Sequence, residues 1–285
     1  VKKLEALNGQ KTGTLYFRGH SNREYEILPS VFRNTNHRKS ENRMLSHFAS
    51  EAPEVFSSGN NTFDQLVKAQ HLGIPTRLLD VSSNPLVALF FSCWSDLQSS
   101  KTDEVVVFEV PEQSEKFHNS DKVSCITNLS RLTEEERDEI SKTCSECVDM
   151  LGDEPFGEEE PRRKEAATEY FNKNPAVRRL VQFIKDEKPY FENRIWFDDL
   201  WDIQAVIPRK NNSRIAAQSG AFLVFGLSNK FSESWARDIS VERISINSES
   251  KKGILEALDA IGINENTAFP EHEKIAASIR VRYST

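Results

Sequence analysis

With 285 residues and 44 acidic against 37 basic side chains, for a net charge of −7, the chain can bury a core without disulfides and lacks the global basic signature of a nucleic-acid binder. A local basic patch stays open. Four scattered cysteines (Cys93, Cys125, Cys144 and Cys147), no apolar run near the roughly 18 residues of a membrane span, and no opening signal peptide read as a soluble protein of a reducing cytoplasm with no membrane partner.

Val1 to Gly13 is polar with a weak helical flavour and reads as continuing an upstream segment. Thr14 to Phe17 is β-branched and aromatic, which predicts a strand. It runs into Arg18-Gly19-His20 and then the turn-like Ser21 to Glu26. An Arg at a strand end followed by Gly sets a guanidinium beside exposed backbone N–H groups, an arrangement suited to phosphate or carboxylate. The plainer alternative pairs Arg18 with Glu24 or Asp80. Ile27 to Arg33 is a second short apolar segment, and Ser40 to Phe56 carries Met44, Leu45, Phe48 and Ala52 at helical spacing.

Gln70 to Trp94, QHLGIPTRLLDVSSNPLVALFFSCW, organises the rest. A helix through Phe63, Leu66 and Val67 stops at Gly73, and Pro75 holds Ile74 extended. Thr76 to Val81 suits a buried extended segment. Ser82, Ser83 or Asn84 caps a new helix, with Pro85 in its first turn. That helix is apolar nearly all round, so it is expected to be buried. Gln70, His71, Thr76, Arg77 and Asp80 therefore sit between buried elements, and a buried charge needs a partner or a ligand. Two readings follow: an Arg77–Asp80 pair that locks the loop, or the polar floor of a ligand pocket.

Glu104 to Val110 is the clearest strand and is expected inside a sheet. Asp121 to Ser130 reads as irregular or a short strand. Thr133 to Glu136 has the form of a capping box and starts a helix to about Met150. Leu151 to Pro161 is an acidic loop, and helices follow at Arg162–Asn172 and Ala176–Lys185. Cys144-x-x-Cys147 sits mid-helix without a second ligand pair, and His37, His47, His118 and His272 show no ligand spacing, so no metal is assigned. Asp202–Pro208, Ala221–Phe225 and Ile239–Ile246 read as strands, Lys251–Ile261 as a helix ended by Gly262, and Pro270–Ile279 as the last helix. Strands scattered among helices without regular βαβ alternation predict an α+β fold. Its mixed or antiparallel sheet is flanked by helices, in one domain over residues 1–285 with an acidic helical insertion at 134–188.

Four stretches together resemble the FRG domain family: Tyr16-Phe17-Arg18-Gly19 with LPSVFR behind it, QHLGIPTRLLDVSSNPLVALFFS, RIAAQSGAF from Arg214 to Phe222, and LEALDAIGINENTAFPE from Leu255 to Glu271. Val81-Ser82 stands where the family usually shows a Trp-Thr or Trp-Ser pair. The resemblance implies a bacterial or phage accessory protein, with a role in phage conflict for some members. The family name describes a motif and implies no activity by itself.

The order of elements is also similar to the early half of the ADP-ribosyltransferase fold, which implies NAD as substrate; no other cofactor is expected. On that reading Arg18 holds phosphate or ribose, with Gly19 and His20 beside it. His71, Thr76 and Asp80 line the nicotinamide end, and Gln218 is the late polar group where such enzymes carry Glu. Glu192 is a rival for that place without a supporting motif. The alternative is a non-catalytic module in which Arg18, Arg77 and Arg214 make a cationic pocket for a small nucleotide or a nucleic-acid end, with Gln70 among its polar groups. A third reading leaves the Arg–Asp contacts purely structural. The protein or nucleic-acid target is left open. Arg18 and the Gln70–Asp80 segment are expected to share one cleft, with Gln218 near it.

Overall fold

The computed structural model describes residues 13–56, 61–94, 101–152, 160–232, 236 and 238–270. Seven strands form one sheet: β1 (Thr14–His20), β2 (Leu78–Ser82), β3 (Asp103–Val110), β4 (Lys116–Phe117), β5 (Ile203–Ile207), β6 (Gly220–Phe225) and β7 (Ser240–Ile246). Their order is β4-β5-β6-β2-β1-β3-β7; β4 and β5 run parallel, and every other neighbour is antiparallel. The fold is α+β. No helix among the described residues is long and apolar enough to cross a membrane.

Pairing is continuous within two halves of the sheet and thin between them. β1 lies along β3 from Thr14 to His20, and β2 lies along β6 from Leu78 to Ser82. Between β1 and β2 the register holds a single bridge, Phe17 opposite Ser82. Past it, Arg18 to His20 and Leu78 to Val81 diverge, so the centre of the sheet opens.

Helices cover one face. α1 (Thr35–Lys39) and α2 (Glu41–Glu51) lead to α3 (Thr62–His71), and α4 (Pro85–Trp94) follows β2. The expected long helix from Ser40 ends before Pro53, and a separate 3-10 turn spans Pro53–Phe56. Gly73 stops α3 in the left-handed conformation, φ 93°. The Asn84 side chain accepts the Leu86 N–H at 3.0 Å and starts α4. Ala88, Leu89, Phe90 and Cys93 of α4 pack on Leu15, Phe17, Val105 and Val107. Each large side chain there contributes about 1.5–3 kcal/mol of burial free energy. The other half of this face joins Phe63, Leu66 and Val67 of α3 to Leu78, Phe222 and Val224.

Asp121 to Ser130, expected as irregular or strand, is instead helix α5 (Asp121–Asn128) with a 3-10 turn after it. Its β-branched residues argue for a strand. The Ser120 cap on the Val123 N–H and the three-residue spacing of buried Val123 and Ile126 against the sheet override that propensity. The capping box at Thr133 is present and opens α6 (Glu134–Leu151). α7 (Glu160–Lys173) and α8 (Pro175–Glu187) pack with it around Ile140, Cys144, Cys147, Phe171, Val177, Leu180 and Ile184. α9 (Ser213–Ala217), α10 (Lys251–Ala260) and α11 (Glu265–Ala268) complete the described helices. The opening segment to Thr12, most of the acidic loop after Leu151, and the helix expected beyond Pro270 lie outside the described residues.

Candidate functional site

The cleft at the sheet's centre follows from the opening between β1 and β2. Strand alternation puts Arg18 and His20 with Tyr16 on one face. Asp80 lies with Leu78 on the face covered by helices. The two share a site because the strands have separated. Arg18 Nη1 reaches across and donates to the Asp80 backbone carbonyl at 2.6 Å, taking the place of a ladder hydrogen bond. The resulting cavity is about 300 Å³ and is lined from β1, β2, α4 and α9, together with Ser21, Tyr25 and Arg33. That is the lower end of small-ligand sites.

Gly19 is required by packing. A Cβ there would lie 2.1 Å from the Ala88 carbonyl oxygen and 2.5 Å from the Ser92 nitrogen. Only glycine lets β1 pass so close to α4, and that approach sets where Arg18 and His20 emerge.

Arg18 Nε donates to His20 Nε2 at 3.2 Å. The same imidazole meets Glu104 through Nδ1 at 3.1 Å, and Glu104 accepts Arg243 Nη1 at 2.6 Å. Burial, then Arg18, Arg243 and Arg33, push the His20 pKa down to about 3. Burial raises that of Glu104, with Arg243 and Arg23 opposing. Burial also lowers that of the Arg18 guanidinium, Asp80 opposing and Arg33 adding, although a guanidinium keeps its charge in a protein.

The carboxylate opposite is held from the helix side. Gln70 Nε2, at the end of α3, donates to Asp80 Oδ2 at 2.7 Å. The Thr76 hydroxyl donates to Gln70 Oε1 and accepts the Leu78 N–H at 3.3 Å. Thr76 is buried and does not line the cleft, so it positions Gln70, which in turn orients Asp80. Arg214, from α9, lines the cleft with its guanidinium 5.0 Å from the centre of the Phe269 ring. Gln218 lines it too. Its side-chain amide donates to the Ala268 carbonyl at 2.9 Å, and its own carbonyl accepts the Ser82 hydroxyl at 2.6 Å. The next residue, Ser219, sits at φ 48°, a strained turn that brings Gln218 against β2.

Arg18, Gly19, His20, Asp80, Arg214 and Gln218 thus line one cleft, with Gln70 and Thr76 behind Asp80. Two expected members lie elsewhere. Arg77 does not pair with Asp80. It is 1 % exposed and grips Glu41 with two hydrogen bonds, 2.9 and 2.6 Å, while donating to the Phe225 and Gly226 carbonyls. The reason is strand parity: Arg77 and Asp80 are three residues apart, so β2 turns them to opposite faces. His71 lines a separate cleft beside Asp64, Lys68 and Arg209. Glu192 is exposed and does not line the cleft.

Three participants escape the sequence reading. Arg33 lines the cleft while donating to the Leu28 carbonyl at 3.0 and 2.9 Å, and it closes the LPSVFR box. Glu104 is 2 % exposed at the head of an apolar strand, and a carboxylate in such a run is itself a signal. Arg243, on an otherwise exposed edge strand, gives no such signal. Among the described residues the lining carries three guanidinium groups, those of Arg18, Arg33 and Arg214, against the one carboxylate of Asp80.

A family model described as FRG domain matches residues 13–101. No curated protein matches the chain, and no solved structure matches it.

Proposed function

Taking residues 13–101 as an FRG domain, we propose that the central cleft binds NAD and catalyses ADP-ribosyl transfer or NAD hydrolysis, in the setting of a bacterial or phage conflict. The observation that carries this reading is the charge pattern among the described residues: three guanidinium groups around one oriented carboxylate, in a chain of net charge −7. Guanidinium groups match the pyrophosphate of a dinucleotide. In the reaction the bond from ribose C1′ to the nicotinamide nitrogen breaks, and its electron pair neutralises the pyridinium ring. The ribose left behind carries positive charge, and Asp80, held by Gln70, supplies the opposing charge in the cleft. A hydroxyl of water or of an acceptor then bonds to C1′ and gives up its proton to solvent.

A second reading rests on Gln218. The late polar residue is an amide committed to the Ala268 carbonyl, which favours a module that holds a nucleotide or a nucleic-acid end without turnover. Nicotinamide release by purified protein, with lysate or nucleic acid as acceptor, separates the two. Catalysis predicts release that falls roughly 10²–10³-fold in Arg18→Ala and in Asp80→Asn, both folded by circular dichroism. Tight ADP-ribose binding with no release under any condition supports the binding module. Release that is unchanged in Arg18→Ala overturns both assignments of this cleft.

A further inference from the structure

We infer that His20, Glu104 and Arg243 form a positioning chain that aims the Arg18 guanidinium into the cleft, with His20 fixed as a neutral imidazole carrying its proton on Nδ1. The reach of this chain is what the motif boxes do not contain. Glu104 stands on β3 and Arg243 on β7, at the outer edge of the sheet, two strands from Arg18.

Hydrogen-bond direction fixes the tautomer. Arg18 Nε–H can only donate, so His20 Nε2, 3.2 Å away, must accept. Nδ1 then carries the hydrogen and donates to Glu104 Oε1 at 3.1 Å. Glu104 in turn receives the Arg243 guanidinium at 2.6 Å, which keeps it an acceptor despite its burial. Protonating His20 would set an N–H against the Arg18 N–H. Three cationic groups around the ring argue against that charge: Arg18 on its own strand, Arg243 on β7 and Arg33 on the turn at Ser30–Arg33. Glu104 on β3 is the anionic partner of the ring, and the Tyr25 ring lies T-shaped to it with centroids 6.2 Å apart. His20 is 4 % exposed and therefore does not act as an acid or base toward solvent. Its place is to remove rotamer freedom from Arg18, leaving the guanidinium's remaining donors directed at a ligand anion.

The anion in question rests on the NAD reading of the cleft; the tautomer does not. The first test is therefore free of ligand: long-range ¹H–¹⁵N correlation of the imidazoles, with the His20 signals assigned by their loss in His20→Gln. The expected result is a neutral Nδ1–H ring at pH 7 that is still neutral at pH 5. An Nε2–H ring, or an imidazolium at pH 5, overturns the inference. The second test is ADP-ribose affinity. His20→Leu removes the acceptor and is expected to weaken binding roughly 10- to 100-fold, the range for a hydrogen bond to a charged group. His20→Gln restores an acceptor at the Nε2 position and is expected to recover part of that loss. Glu104→Leu removes the acceptor of Nδ1–H and is expected to weaken ADP-ribose binding as His20→Leu does, while Glu104→Gln keeps an acceptor there and is expected to recover part of that loss. Equal ADP-ribose affinity in parent and folded His20→Leu overturns the positioning role. If the parent binds no ADP-ribose, the nucleotide reading of the cleft fails, and the chain is judged on the tautomer.

Discussion

Removing Glu41 separates the structural arginine from the functional one. Arg77 and Glu41 are 1 % and 0 % exposed, and the pair is bidentate. Arg137 stands 3.7 Å from the same carboxylate. Glu41→Leu leaves the Arg77 guanidinium buried with the Phe225 and Gly226 carbonyls as its remaining partners, and it faces Arg137 without a counter-charge. Breaking a buried pair from one side costs about 3–5 kcal/mol. At about 2–4 °C per kcal/mol for a chain somewhat shorter than this one, the melting temperature falls by on the order of 10 °C. Replacing both partners, Glu41→Leu with Arg77→Met, removes the orphaned charge as well and is expected to cost less than either single change. The assay is urea unfolding of parent, both singles and the double, followed by fluorescence and by circular dichroism. ADP-ribose affinity measured well below each melting point should be unchanged in all four, because Arg77 does not line the cleft. Strictly additive single costs, or an affinity loss confined to the Arg77 variants, would refute the reasoning.

Gln70→Leu removes the donor that orients Asp80 while leaving the Thr76 hydroxyl its Leu78 contact; nicotinamide release should fall by roughly tenfold or more with little change in melting temperature. Gly19→Ala forces a methyl onto the α4 backbone at 2.1 Å, so unfolding should shift by roughly 1–3 kcal/mol, read from the urea midpoint. Asp64 is buried and its pKa is raised above the ordinary carboxylate value, burial outweighing Arg209, His118 and Lys68. Its protonated form therefore favours the folded state, and that contribution is lost as pH rises through the folded pKa. Asp64→Asn should melt higher than the parent at pH 7, and the gap should close as pH falls to about 3.8. All four cysteines are buried, with burial raising the thiol pKa at each, to about 12 at Cys125 and about 11 at Cys147. Reaction with a disulfide reagent at pH 8 should wait for unfolding, and a rapid native-state thiol count would contradict this.

The legible parts of the fold were those in which local chemistry and burial agree. Gly73, Pro75 and Asn84 punctuate the central stretch as their backbone preferences require, and the capping box at Thr133 opens α6. α5 departs from its local signal because Val123, Ile126 and Thr127 favour strand, while the partner that makes it a helix, the face of β2 and β6, comes from distant parts of the chain. Within the site, Arg18 and Asp80 could be named from the strand-end Arg-Gly and the Leu-Leu-Asp run. The partner of Arg77 could not, since Glu41 lies 36 residues upstream and only tertiary packing brings the two together.

Arg18 and Asp80 also show why residue types alone do not make a site. In a continuously paired sheet, alternation would have sent Arg18 to one face and Asp80 to the other, and the charges would not meet. The lone bridge at Phe17 and Ser82 changes that. Where β1 leaves β2, the Asp80 carbonyl loses its ladder partner, and Arg18 Nη1 supplies one. A backbone carbonyl that leaves its ladder needs another donor, and here the protein supplies it. The guanidinium is thus anchored by the same break in pairing that opens the cleft around it. Its Nε is fixed by His20, and the facing carboxylate is fixed by Gln70 and Thr76. Both charges are oriented by the protein itself, so the ordering cost at this centre falls on folding and little is left for the ligand to supply.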